Sequence, residues 1–138
     1  MYRDLPPLTF FIRLGKRFAG YGSVGMAAFL LDIALLTLLV TVTSIPFIPA
    51  LVFSFLVGVS VNFLLQYNFV YAGTKRDAVP GYIFFVILAL LSLLVVANGT
   101  WFLATYFEIP FLVARVLIGG VSGSINFLLN TFFNFKLV

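Results

Sequence analysis

Long apolar runs interrupted by single polar residues fill most of the chain. Four of them, at about 21–42, 47–68, 82–104 and 110–133, reach membrane length, because ~20 apolar residues rising 1.5 Å each cross a ~30 Å hydrocarbon core. The first run is broken near its middle by Asp32 and the third by Asn98. In the last, the polar and small residues Arg115, Gly119, Ser122, Asn126 and Asn130 follow one another at steps of four, three, four and four, which stacks them on one face of a helix. A soluble helix would wear such a stripe outward. In lipid the logic inverts, since an ionisable or amide group facing hydrocarbon costs a few kcal/mol, and the stripe is expected to face the inside of a bundle. Short turns separate the runs: Thr41 to Ser44 ahead of Pro46 and Pro49, the polar stretch AGTKRDAVPG at 72–81, and Glu108 with Pro110.

The second and fourth runs are copies of one another. Ile45-Pro46-Phe47 recurs as Ile109-Pro110-Phe111, Ala50 as Ala114, Ser60 as Ser124, and Asn62-Phe63-Leu64-Leu65 as Asn126-Phe127-Leu128-Leu129, all in one register. Gln66 then matches Asn130, an amide for an amide one turn beyond the Asn. Leu51 stands where the second copy has Arg115, so the copies are chemically unequal. The expected fold is an all-α integral membrane protein of four transmembrane helices, arranged as two helical-hairpin repeats in one domain over 1–138. An even number of spans per repeat makes the hairpins parallel repeats.

Composition agrees with this picture. The chain is 63% hydrophobic and 9% charged, too apolar to bury its side chains in one soluble core, so lipid is the expected solvent. Without cysteine or histidine it lacks thiolate and imidazole chemistry, and no metal site, cofactor or enzymatic activity is expected. The net charge of +4 is assigned to membrane borders and anionic lipid head groups rather than to nucleic acid. Arg3, Arg13, Lys16, Arg17, Lys75, Arg76 and Lys136 fall on one side of a four-span arrangement and only Glu108 on the other, which predicts cytoplasmic termini. Residues 1–19 show no small-residue cleavage site. Within them Phe10, Leu14 and Phe18 oppose Arg13, Lys16 and Arg17, the pattern of a short helix lying in the head-group plane. Tyr67, Phe69, Tyr71, Phe132, Phe133 and Phe135 are expected to form an aromatic belt.

Asp32 and Arg115 are the candidate site residues, the ionisable groups inside the spans other than tyrosines. Helical rise places them within ~5 Å of the same height in the ~30 Å core. Two readings stand: a structural ion pair between the first and fourth helices, or an arginine fork that meets a lipid phosphate while Asp32 orients or releases it. The amide pairs Asn62 with Gln66 and Asn126 with Asn130 either stitch helices together or offer hydrogen bonds to a sugar or phosphate.

An aspartate in the first span, paired Asn-Phe-Leu-Leu-Gln/Asn segments closing the second and fourth, and Ala114-Arg115 ahead of the latter resemble the GtrA-like family of small membrane proteins, over about residues 17–136. The resemblance implies a role in cell-surface polysaccharide or glycolipid assembly in the cytoplasmic (inner) membrane. The substrate it implies is a polyprenyl-phosphate-linked monosaccharide flipped across that membrane, with Asp32, Asn62, Gln66, Arg115, Asn126 and Asn130 at the matching positions. Where the family usually carries a basic residue after each amide, this chain has Tyr67 and Asn68, then Thr131 and Phe132, leaving Lys75, Arg76 and Lys136 for that role. Besides membrane lipids, the expected partners are a second copy of the chain, since four spans make a thin bundle, and a glycosyltransferase. Two rivals remain open: a non-transporting subunit that docks or orients a polyprenyl-phosphate glycosyltransferase, and a small-cation exporter working through Asp32.

Overall fold

The structure, a computed structural model, describes residues 7–137, with the backbone alone at 111 and 112. Arg3, counted above with the basic residues of one border, lies outside the described residues. The elements are α1 (Pro7–Val42), α2 (Phe47–Leu65) continuing into a π-helical turn at Gln66–Val70, α3 (Ala78–Tyr106), and α4 (Phe111–Leu129) continuing into a second π-helical turn at Asn130–Asn134. Among the described residues four helices are long and apolar enough to cross a membrane, and the protein is an all-α, multi-pass membrane protein. The chain divides into two compact units: α1, α2 and the first π-turn form one, and residues Arg76–Lys136 form the other. Each is a helical hairpin.

α1 corrects one expectation. It runs unbroken for 36 residues, ~54 Å at 1.5 Å per residue, because no proline follows Pro7 within it to remove a hydrogen bond or clash with the preceding turn. The basic positions Arg13, Lys16 and Arg17 therefore ride on the same rod as the first span, not on a separate helix in the head-group plane.

The sequence repeat is a structural repeat. Pro46 and Pro110 precede the first residues of α2 and α4, and their carbonyls accept from the amides of Ala50 at 3.2 Å and Ala114 at 2.9 Å. Both alanines are buried. At the other end the ladder widens in the same way in each copy: Tyr71 N–H donates to Gln66 C=O and Phe135 N–H to Asn130 C=O, each at 2.7 Å. An i→i+5 turn holds one residue more than an α-turn, so it re-aims the side chains that follow it. Tyr71 and Phe135, expected in the aromatic belt, are instead buried at 0% and 1% exposure, while Phe69 and Phe133 stay exposed.

Packing is inside out relative to a soluble bundle. Many leucine, isoleucine, valine and phenylalanine side chains along all four helices are exposed, including Leu30, Leu56, Leu94 and Val121. Much of the buried set is small or polar: Ala28, Ala50, Ser54, Gly58 and Gln66 in the first hairpin, and Gly81, Thr100, Ala114, Ser122, Asn130, Thr131 and Asn134 in the second, beside the larger Val59, Phe63, Tyr71, Phe85, Phe127 and Phe135. Lipid tails are as apolar as leucine, so close backbone approach and interhelical hydrogen bonds hold such helices together. Gly58 marks the tightest approach in the first hairpin, where an added Cβ would lie 2.9 Å from Asp32 Cβ. Gly99 does the same in the second, with Ile118 Cγ2 at 3.0 Å. Between α3 and α4, Glu108 adopts a left-handed φ of 54°, and Ile109 N–H reaches back to Leu103 C=O at 3.4 Å, which turns the chain off the end of α3.

Candidate functional site

In the first hairpin the polar groups gather along one groove between α1 and α2. A cavity of about 150 Å³ is lined by Gly25, Ala28, Phe29, Asp32, Phe55, Gly58, Val59 and Asn62. Asp32 enters it because Gly58 has no side chain to fill the space opposite. One turn beyond Asn62, the buried Gln66 clamps the hairpin: its Nε2 donates to Asn62 Oδ1 and to the carbonyl of Tyr21, both at 3.1 Å. Its Oε1 is buried with no hydrogen-bond partner. Asp32, Asn62 and Gln66, three of the six expected site residues, thus lie on this one helix pair.

The second hairpin repeats the groove with different chemistry. A cavity of about 210 Å³ between α3 and α4 is lined by apolar residues together with Ser92, Ser122 and Asn126. Asn126 Nδ2 donates to Ser92 Oγ at 2.9 Å, and the hydroxyls of Ser92 and Ser122 share a hydrogen bond of 2.5 Å. Since Gly58 and Ser122 are counterparts in the repeat, and Asp32 faces the one as Ser92 faces the other, Ser92 occupies in the second hairpin the place of Asp32 in the first. The first and third runs share too few residue types for sequence comparison to pair them. From Asn126 the polar line continues down α4 into the π-turn. Asn130 Nδ2 donates to Asn126 C=O at 3.0 Å, Asn134 Nδ2 to Asn130 Oδ1 at 3.0 Å and to Gly81 C=O at 3.1 Å, and Arg76 Nε to Asn134 Oδ1 at 3.3 Å.

Arg115 departs from the expected stripe. Ser122 and Asn130 are buried and Gly119 and Asn126 half-buried, but Arg115 is exposed. The buried line of α4 includes Ala114, one residue and ~100° around the helix from Arg115. The repeat requires this, because Ala50 and Ala114 are the contact positions and the residue after each points away from the hairpin: Leu51 is exposed like Arg115. Arg115 belongs to the second unit and Asp32 to the first.

Sequence reasoning passed over three groups. Ser92 reads as a packing residue until the fold sets it opposite Ser122. Asn134 lies beyond the repeated motif, where a straight α-helix would aim it differently from a π-turn. Arg17 is separated by a long stretch of chain from the Val70 carbonyl that accepts from its Nη1. Asn98, the odd residue of the third run, is exposed, and its Nδ2 bonds back to Leu94 C=O at 2.8 Å.

No curated protein matches the chain. A protein family does: the profile of the GtrA/DPMS transmembrane domain matches residues 20–135, from the second turn before the Asp32 groove region to the end of the second π-turn. Both repeats of the amide segment and Asp32, Asn62, Gln66, Ser92, Arg115, Ser122, Asn126, Asn130 and Asn134 fall inside the match, whereas the start of α1 with Arg17 precedes it. This all-helical, four-span chain is therefore a member of the GtrA/DPMS transmembrane-domain family.

Proposed function

We infer that the protein serves polysaccharide or glycolipid synthesis in the membrane, as its family membership suggests. Within that role we propose that the protein moves a polyprenyl-phosphate-linked monosaccharide across the cytoplasmic membrane, and that it does so as a carrier and not as an enzyme. The observation that carries this reading is the polar groove inside each apolar hairpin. Asp32, Asn62 and Gln66 supply a carboxylate and amides in one, and Ser92, Ser122, Asn126 and Asn130 supply hydroxyls and amides in the other. Sugar hydroxyls both donate and accept, so alternating amides and hydroxyls can exchange helix contacts for sugar contacts with little net loss of hydrogen bonds. A polyprenyl tail needs no such path, since the exposed leucine and phenylalanine faces of the helices already meet lipid. Arg115, exposed on α4, has the planar fork suited to the phosphate.

The test uses pure protein in sealed vesicles loaded on one leaflet with a short-chain polyprenyl-phosphate sugar, reading how much becomes accessible on the other. Transport is expected with the unaltered chain and a loss of at least tenfold in Arg115→Ala and in Asp32→Asn. Vesicles in which the unaltered protein moves no lipid would end this reading. The rival, a subunit that docks a glycosyltransferase, draws on Arg13, Lys16, Arg17, Lys75 and Arg76. It predicts that alanine at those positions lowers glycosylation in cells while Arg115→Ala and Asp32→Asn leave it unchanged.

A further inference from the structure

A third cavity lies outside both grooves, at the end of the first hairpin where α1 passes the first π-turn. It measures about 460 Å³ and is lined by Arg13, Lys16, Arg17, Gly20, Phe69 and Val70, within the range of small-molecule sites. On α1 the four lining positions fall at i, i+3, i+4 and i+7, one helix face. Three of them are cations. Like charges three and four apart on a helix destabilise it, and of the described acidic residues, Asp32, Asp77 and Glu108, none lines the cavity. Among the described residues the cavity thus concentrates positive charge without an internal counter-charge.

Arg17 is held in place there. Its Nη1 donates to the Val70 carbonyl, which the end of the helix leaves free of an intrahelical partner, and its guanidinium lies over the Tyr71 ring at 5.4 Å from the centroid. The π-turn supplies both contacts, since it buries Tyr71 fully. Val70 packs over Gly20 of α1, its Cγ2 3.5 Å from where a Cβ would stand, an ordinary contact distance. With the guanidinium so fixed, its Nε–H is buried and has no acceptor. An unmet donor on a charged group is costly, so Arg17 keeps hydrogen-bonding capacity that an anionic oxygen would use. The far wall of the cavity is apolar: Phe69 is 72% exposed and stands beside Val70.

We infer that this cavity binds a phosphoryl group, with Arg17 as the positioned fork, Arg13 and Lys16 as the flanking cations, and Phe69 with Val70 as the surface along which an attached hydrocarbon chain leaves. A carboxylate would answer one cation; a phosphoryl group offers more charge and several acceptor oxygens to three. The position, just before the apolar stretch that begins at Tyr21, is head-group depth, where basic pockets recognise lipid phosphates. The inference does not rest on the transport reading, because any phosphate-bearing lipid, or free phosphate, presents the same group.

Native mass spectrometry of the full chain in detergent, titrated separately with farnesyl monophosphate, phosphatidylglycerol, inorganic phosphate and neutral farnesol, tests it. Farnesyl monophosphate or phosphatidylglycerol is expected to be retained and farnesol not. Arg17→Gln should weaken retention about tenfold, and the exposed pair Arg13→Gln with Lys16→Gln, which removes no packing, should do the same. Glu108→Gln, a charge change of the same size elsewhere, should leave retention unaltered. If inorganic phosphate competes at millimolar concentration the site takes phosphate from either source; if it does not, the lipid is the source, and both results uphold a phosphoryl site. Equal retention of farnesol, or full retention by the Arg13→Gln/Lys16→Gln chain, overturns it. Phosphatidylglycerol retention by a protein that moves no sugar lipid would leave this site standing and remove the transport reading alone.

Discussion

The closest approach of α1 and α2 sets a quantitative expectation for Gly58→Ala. A methyl group at residue 58 would lie 2.9 Å from Asp32 Cβ and 3.4 Å from the Ala28 carbonyl oxygen, whereas carbon atoms in good contact sit ~3.5–4.0 Å apart. Both atoms of the tighter pair are fixed to helix backbones, so no rotamer change relieves the clash and the helices must separate by roughly 0.6–1 Å. Overpacking of this kind costs ~1–3 kcal/mol. Exchanging glycine for alanine within a helix returns up to ~1 kcal/mol through propensity, so the net effect alone is hard to read. Gly25→Ala removes the ambiguity. Gly25 lies on α1 in the same groove and has nothing within 4 Å of an added Cβ, so it carries the propensity gain without the clash. The difference between the two variants is therefore expected to be ~1–3 kcal/mol in favour of Gly25→Ala, measured by reversible unfolding of the purified protein in mixed detergent and SDS micelles. Equal shifts in the two variants would show that the helices do not meet at residue 58, and the placement of Asp32 in its groove would fall with that contact.

Two further outcomes follow from the second hairpin. A double-mutant cycle of Ser92→Ala and Asn126→Ala in the same unfolding assay should give a coupling near the membrane average of ~0.6 kcal/mol, and a coupling of zero would mean that the 2.9 Å bond between them is not made. Asn134→Ala should destabilise by ~1–3 kcal/mol, since it strips a partner from Asn130, from the Gly81 carbonyl and from Arg76 at a fully buried position; near-neutral behaviour would show that water reaches the π-turn.

The length and apolarity of the four runs determined the membrane, the helices and their number by themselves, because in hydrocarbon a backbone must satisfy its own hydrogen bonds and a helix is the local way to do so. The recurrence of Ile-Pro-Phe and Asn-Phe-Leu-Leu likewise announced two related hairpins, since residues repeated in one register impose the same local contacts. What the repeat did not disclose was the widening of the ladder after Leu65 and Leu129. A single extra residue in a turn leaves no mark in a hydrophobic pattern, yet it turns Tyr71 and Phe135 from the belt to the interior and presents the Val70 carbonyl to Arg17. Helical spacing also assigned Arg115 to the inner stripe, because a periodic pattern defines a face but not which edge of that face a neighbour covers; the contact at Ala114 decided that. Pairing between helices distant in sequence, Asp32 with Gly58, Ser92 with Ser122 and Asn126, Arg17 with the end of α2, is a property of the packed hairpin. Only the tertiary structure could supply it, since in lipid the choice of partner rests on small residues and a few hydrogen bonds, and these have no period along the chain.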